Sequence, residues 1–218
     1  MSLADAIVFD FDGVISDSEP VHERALRAAA EAVGMRFASA DFSARFVGLG
    51  DVSAFKMIAE DHGRALDDDE LAALCAHKLR AFVTEERKTP PRPVAGSIEL
   101  IHASAARVPV GVCTGSRRAE VGPMLERFGV RGLLRAFVTA DDVEHPKPDP
   151  AGYRLAAEKL GGGRVVAIED SPTGIAAAKG AGLRVLAVCQ SYPADRLKDA
   201  DRIVERITDL DVDMILRI

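Results

Sequence analysis

The sequence predicts an α/β protein: a doubly wound, Rossmann-like parallel sheet core with an inserted all-helical segment. Three observations carry this. Short apolar β-type runs recur along the 218 residues without clean polar alternation, as strands buried on both faces of a parallel sheet do. Stretches of helical periodicity separate the later runs. The first and second runs are parted by far more chain than one crossover helix needs, and that chain reads as helix throughout.

The first strand is Ala6-Ile7-Val8-Phe9. Ser18 then caps a helix that runs through Ala32 and stops at Gly34, Asp51 opens a second that stops at Gly63, and Asp67 begins a third carrying Leu71, Leu74, Leu79 and Phe82. Thr89-Pro90-Pro91-Arg92-Pro93 makes a stiff, extended return. The expected division is a core of residues 1–15 and 90–218 around a helical cap of residues 16–89. After the return, a helix over 97–106 sets Ile98, Leu100 and Ile101 on one side and leads to a second strand over 108–113. A helix over 117–128 runs to Gly129, and a third strand covers 136–139. Asp149-Pro150 opens a helix that reaches Leu160 and closes on Gly161-Gly162-Gly163. Strands over 165–168 and 185–188 complete the sheet.

Composition narrows the function classes. At 48% hydrophobic and 28% charged residues the chain is an ordinary globular one, with no disorder signature. A net charge of −6 argues against a nucleic-acid footprint, and the absence of Trp argues against base-stacking platforms. No apolar run reaches the ~18 residues of a membrane span, and the N-terminus has no signal-peptide pattern. Cys75, Cys113 and Cys189 are an odd, sparse set without a CxxC neighbour, which suggests a reduced, cytoplasmic location and buried small hydrophobes.

Chemistry-bearing residues gather at strand ends, where open α/β sheets bind ligands. The first strand ends in Asp10-Phe11-Asp12-Gly13, two acids that can share a divalent cation, although Asp-Gly equally starts a turn. The second ends in Cys113-Thr114-Gly115-Ser116-Arg117, where a hydroxyl and N–H groups at a helix start form either an anion site or a plain cap. Lys147 sits between Pro146 and Pro148, so its ammonium is aimed, unless it is simply an exposed loop lysine. The fourth ends in Glu169-Asp170-Ser171, with Pro172-Thr173-Gly174 starting a helix. Turn chemistry does not readily explain a second acidic pair. Together these tips form a site for a phosphate and a hard cation.

Asp10-Phe11-Asp12-Gly13-Val14, Thr114-Gly115-Ser116, Lys147-Pro148-Asp149-Pro150 and Glu169-Asp170-Ser171-Pro172-Thr173-Gly174 resemble, in order, the four motifs of the haloacid dehalogenase superfamily. With the helical insert, the chain looks like the capped branch that includes β-phosphoglucomutase and phosphoglycolate phosphatase. The resemblance implies Asp10 as nucleophile and Asp12 as general acid/base. It implies Thr114, Gly115 and Ser116 as the phosphate cradle, and Lys147 as the charge neutraliser. It implies Mg²⁺ held by Asp10, the Asp12 carbonyl and Asp170, with Glu169 close by or acting through water. An acid at Asp12, a position that is not acidic in the dehalogenase branch, favours phosphate esters.

In the cap, His22 is placed as a histidine of β-phosphoglucomutase is, where it couples cap closure to the acid/base; a half-buried helix histidine is an equal reading. Lys78 and Arg80 are cleft candidates, with a solvated face the simpler expectation for each. At the position matching Asp51 the mutase carries Arg, so an anion there is expected to oppose a second phosphate. The function implied is a Mg²⁺-dependent phosphatase of a small phosphorylated metabolite, sugar phosphates included, with no nucleic-acid, membrane or obligate protein partner. The alternative is an intramolecular phosphomutase. A receiver-like signalling module fits less well, being short, uncapped and phosphorylated on a middle strand.

Overall fold

Strand β1 (Ala6–Phe9) is buried along its whole length, which its four apolar residues make possible. In the computed structural model, which describes residues 3–218, β1 lies at the centre of a six-stranded sheet. Its other strands are β4 (Val110–Cys113), β5 (Leu134–Val138), β6 (Val165–Glu169), β7 (Arg184–Val188) and β8 (Arg202–Val204). The order is β5-β4-β1-β6-β7-β8 and every pairing is parallel. The chain proceeds from β1 outward through β4 and β5, then returns to β1's other side with β6. That reversal is the topological switch point of a doubly wound sheet, so the predicted fold class is the observed one. Helices α5 (Ser97–Ala105), α6 (Arg118–Arg127), α7 (Ala151–Lys159), α8 (Pro172–Gly180) and α9 (Val212–Leu216) follow in chain order.

A two-stranded antiparallel ribbon, β2 (Ser16–Asp17) with β3 (Arg92–Pro93), pairs Asp17 with Arg92. It joins the two points between which the rest of the chain is inserted. Residues up to Asp17 and Arg92–Ile218 form one compact unit, and Ser18–Pro91 form another. The second is entirely helical: α1 (Glu19–Glu31), α2 (Ser39–Asp41), a π-helical turn at Phe42–Phe46, α3 (Asp51–Asp61) and α4 (Asp68–Lys88). Asp51 opens α3 as expected, with Gly50 at the N-cap position. Asp67 does cap α4, accepting from the Glu70 N–H at 2.8 Å while its own N–H donates to Glu70 at 3.1 Å.

The buried residues of α4 are Leu71, Leu74, Cys75, Lys78 and Phe82. They recur at helical spacing and make one stripe, with Leu79 only half-buried beside it. A lysine therefore occupies a core position. The expectation of a solvated Lys78 is corrected here: its side chain is 2% exposed. Arg80, two residues on, is exposed. Cys75 and Cys113 are buried and Cys189 is half-buried. Among the described residues, no helix is long and apolar enough to cross a membrane.

Candidate active site

Asp10 follows β1 directly and its N–H donates to the Ile168 carbonyl at 2.9 Å, which ties it to the neighbouring strand. Beyond it the chain turns sharply. Gly13 lies in the left-handed region at φ +76°, and a Cβ there would strike the Asp170 carboxylate and the Ser191 hydroxyl. Only glycine allows both the turn and this close approach. At the end of β6, Glu169 is fully buried, and Asp170 just beyond it nearly so. Gly174, in the first turn of α8, leaves the room that the Glu169 carboxylate occupies.

These tips bring Asp10, Glu169 and Asp170 together, with a carboxylate oxygen of each lying within 4.8 Å of the others. Lys147 reaches into the group, donating to Asp10 Oδ1 at 2.8 Å and to Glu169 Oε1 at 2.6 Å. Burial, then the Glu169 charge, pushes the Asp10 carboxyl up to about 8 against the opposing pull of Lys147. Burial alone would lower the Lys147 ammonium, but Asp10 and Glu169 outweigh it and hold it well above the usual lysine range. Three buried carboxylates against one ammonium leave surplus negative charge in an all-oxygen donor set, which suits a hard divalent cation.

Within this trio the roles differ. Glu169 Oε1 accepts from Lys147 and from the Tyr153 hydroxyl, at 2.6 Å each. Its Oε2 accepts from the N–H groups of Asp170 and Ser171 at 3.1 and 3.3 Å and from the Ser171 hydroxyl at 3.1 Å. Asp170 Oδ2 takes the Ser191 hydroxyl from the loop after β7. Burial, then Glu169, holds the Tyr153 phenol well above its usual value, so the hydroxyl remains a donor. Tyr153 and Ser191 were not found by sequence reasoning. The available signal was Tyr153's position, six residues beyond Lys147, in the first turn of the next helix.

Asp12 lies beside the turn after β4. The Ser116 hydroxyl donates to Asp12 Oδ2 at 2.7 Å and the Thr114 hydroxyl at 3.3 Å, while Thr114 Oγ1 accepts from the Ser116 N–H at 3.0 Å. Helix α6 begins later than the sequence suggested. Arg117 is extended at φ −78°, ψ 152°, and the first N–H groups already have carboxylate partners: Arg117 donates to Glu120 and Arg118 to Asp141, both at 2.8 Å. The Thr114-Gly115-Ser116 turn lies just before this helix start.

His22 belongs to the helical unit. Its Nδ1 lies 2.9 Å from Lys78 Nζ, its ring centroid is 4.6 Å from that of Phe82, and Lys78 also pairs with Asp51 Oδ1 at 3.1 Å. With the ammonium as donor, His22 Nδ1 is the acceptor, so the imidazole proton is on Nε2. Asp51, the anion expected to oppose a second phosphate, is thus paired with Lys78.

The chain matches the family model described as haloacid dehalogenase-like hydrolase over residues 4–182. Validoxylamine A 7'-phosphate phosphatase of Streptomyces hygroscopicus subsp. limoneus is 30% identical over 93% of this chain and 94% of its own length. Fructose-1-phosphate phosphatase YqaB of Escherichia coli K12 is 31% identical over 81% of this chain and 92% of its own. Among solved structures, CbbY from Rhodobacter sphaeroides in complex with phosphate superimposes with a TM-score of 0.87 at 26% identity, covering 99% of this chain and all of that one. The chain belongs to the haloacid dehalogenase-like hydrolase family, as a phosphoric monoester hydrolase.

Proposed function

We propose that this enzyme is a Mg²⁺-dependent phosphatase of a small phosphorylated carbohydrate and that it works through a phosphoryl group carried on Asp10. The observation that carries the reading is the buried Asp10 carboxylate paired with Lys147 at 2.8 Å, with Asp12 two residues on and bonded to two hydroxyls. Relatives that act on validoxylamine 7'-phosphate and fructose 1-phosphate support the substrate class.

In this reading an Asp10 oxygen attacks phosphorus as the ester P–O bond breaks, and Asp12, protonated at that stage, gives its proton to the departing alkoxide. Asp12 then takes a proton from water, whose oxygen attacks phosphorus. The Asp10–phosphoryl bond breaks, releasing inorganic phosphate and the free carboxylate. Thr114 and Ser116 hold Asp12 where it serves both halves, and the turn they form cradles phosphoryl oxygens. Lys147 balances charge on the phosphoryl group and on Asp10. Asp10, Asp170 and the Asp12 carbonyl would hold Mg²⁺, with Glu169 behind them, since its oxygens already have donors. When bound, the ion would supply positive charge that offsets the negative charge of the carboxylate and the phosphoryl group. The helical unit is read as the cap that confers specificity, with His22 on it. The mutase reading gains nothing from Lys78, whose ammonium bonds Asp51 and His22.

The test is a panel of phosphorylated carbohydrates with Mg²⁺, following inorganic phosphate, run with wild type and Asp10→Asn. Phosphate release from at least one member by wild type alone is expected. With β-glucose 1-phosphate and a trace of the 1,6-bisphosphate, rapid glucose 6-phosphate formation without phosphate release would overturn the hydrolase in favour of the mutase.

A further inference from the structure

Lys147 has two carboxylates to choose from, and it is bonded closely to both. An ammonium shared between two anions is drawn towards whichever is less satisfied. On the proposed mechanism, drift towards Glu169 would take charge away from Asp10. Something must therefore limit the pull of Glu169 Oε1.

Tyr153 is placed to do so. It is fully buried, and its hydroxyl donates to that same Oε1 at 2.6 Å, close to the distance at which Lys147 does. The Tyr153 oxygen also accepts from the ammonium at 3.4 Å, and the Lys147 nitrogen stands 4.9 Å from the centre of the tyrosine ring. Lysine, tyrosine and glutamate form a closed triangle of hydrogen bonds, and the ammonium also bonds Asp10, which is not part of it. The placement follows from local structure. The rigid Lys147–Pro150 loop runs straight into α7, and the third residue of that helix turns inward to meet the lysine. Packing alone does not call for a hydroxyl here, because a phenylalanine ring would fill the same apolar cluster with Val138, Ala156 and Ile175. Burying the hydroxyl is costly without a partner, and its partner is a carboxylate of the site.

We propose that Tyr153 is a positioning residue, whose hydroxyl satisfies Glu169 Oε1 so that the Lys147 ammonium stays directed at Asp10. This rests on the reading of Asp10 as the phosphoryl carrier. Without the hydroxyl, Glu169 Oε1 relies on Lys147 alone, and the ammonium shifts from Asp10 towards Glu169. Substrate binding through the rest of the site is untouched, so the loss falls on turnover.

The experiment compares wild type, Tyr153→Phe, Lys147→Ala, the double variant and Asp10→Asn, all with Mg²⁺, reading kcat, KM and the thermal midpoint. Tyr153→Phe should lower kcat by about 10–100-fold, the usual range for residues that support charged groups of a site, with KM close to wild type and the midpoint nearly unchanged. In the Lys147→Ala background the same substitution should change kcat by less than about twofold, because the group it aims is gone. A wild-type kcat in Tyr153→Phe overturns the proposal. So does an equal loss in both backgrounds, which would mean that the hydroxyl acts by another route, and so does a variant that melts below the assay temperature, which would make it a folding device. Each of these leaves Asp10→Asn inactive. Turnover surviving in Asp10→Asn would instead remove the phosphoryl-carrier reading, and this proposal with it.

Discussion

Two lysines of this chain are drawn away from solvent, one buried and one half-buried, in opposite ways. In the helical unit Lys78 is 2% exposed, and Asp51 and a neutral His22 face it. There an ammonium meets a carboxylate and an imidazole. In the sheet unit Lys147 is 12% exposed and meets Asp10 and Glu169, with Asp170 in the same cluster. There the charges do not close, and burial with Glu169 pushes Asp10 up to about 8. A balanced buried pair supports a fold, whereas an unbalanced one costs stability until something positive joins it. The surplus of acid at the strand tips, rather than burial as such, marks the site.

Four experiments sharpen or break that comparison. The largest effect is expected for Asp10→Asn, which keeps size and burial but cannot carry a phosphoryl group. Turnover should fall by about three orders of magnitude or more with the circular dichroism spectrum unchanged. Activity above a few per cent of wild type would remove Asp10 from that role. Next, chelation should abolish activity and Mg²⁺ restore it. Saturating ion, at ~100 times its Kd, should add about 2.7 kcal/mol to unfolding stability. That gain should vanish in Asp170→Ala and persist in Lys78→Met. A Mg²⁺-insensitive melting curve for wild type would break the idea that the strand-tip charges need a cation.

Lys78→Met removes the donor that Asp51 and His22 share, so urea denaturation should show a loss of about 1–3 kcal/mol. Unchanged or increased stability would mean that the Lys78–Asp51 pair does not stabilise the helical unit. The smallest effect is expected for Ser191→Ala, which removes the hydroxyl bonded to Asp170. Calorimetric titration without substrate should show Mg²⁺ binding about tenfold weaker. Equal affinities would leave Ser191 a loop residue with no part in the site.

The strands were legible because a parallel sheet demands continuous apolar runs. Residues 6–9 form β1 as expected, and 165–168 form β6 with one residue added. Strand β8 was not legible, since Arg202–Val204 is a three-residue edge strand with no fully buried member. The ribbon of β2 and β3 spans two residues on each side and carries no pattern at all. In the helical unit, the π-helical turn at Phe42–Phe46 passed unnoticed. There Phe37, Phe42 and Phe46 cluster at ring distances of 5.3 to 6.5 Å, at spacings that follow neither the helical nor the strand period. Lys78 was in phase with Leu71, Leu74, Cys75 and Phe82, but the preference of lysine for solvent hid the stripe.

By itself the sequence determined five strands of the main sheet and the helices between them, the insertion between the first two of those strands, and the identity of the acids, hydroxyls and lysine at the strand tips. Each of these follows from local pattern, periodicity or short motifs. Only the tertiary structure decided what each of those groups faces. It set Lys147 between Asp10 and Glu169, gave Glu169 to Tyr153 and Ser171, gave Asp170 to Ser191, and closed Lys78 onto Asp51 and His22. The partners come from elements far apart in the chain, and a buried charge takes its energy from the groups around it. Its role is therefore settled only when the chain has packed.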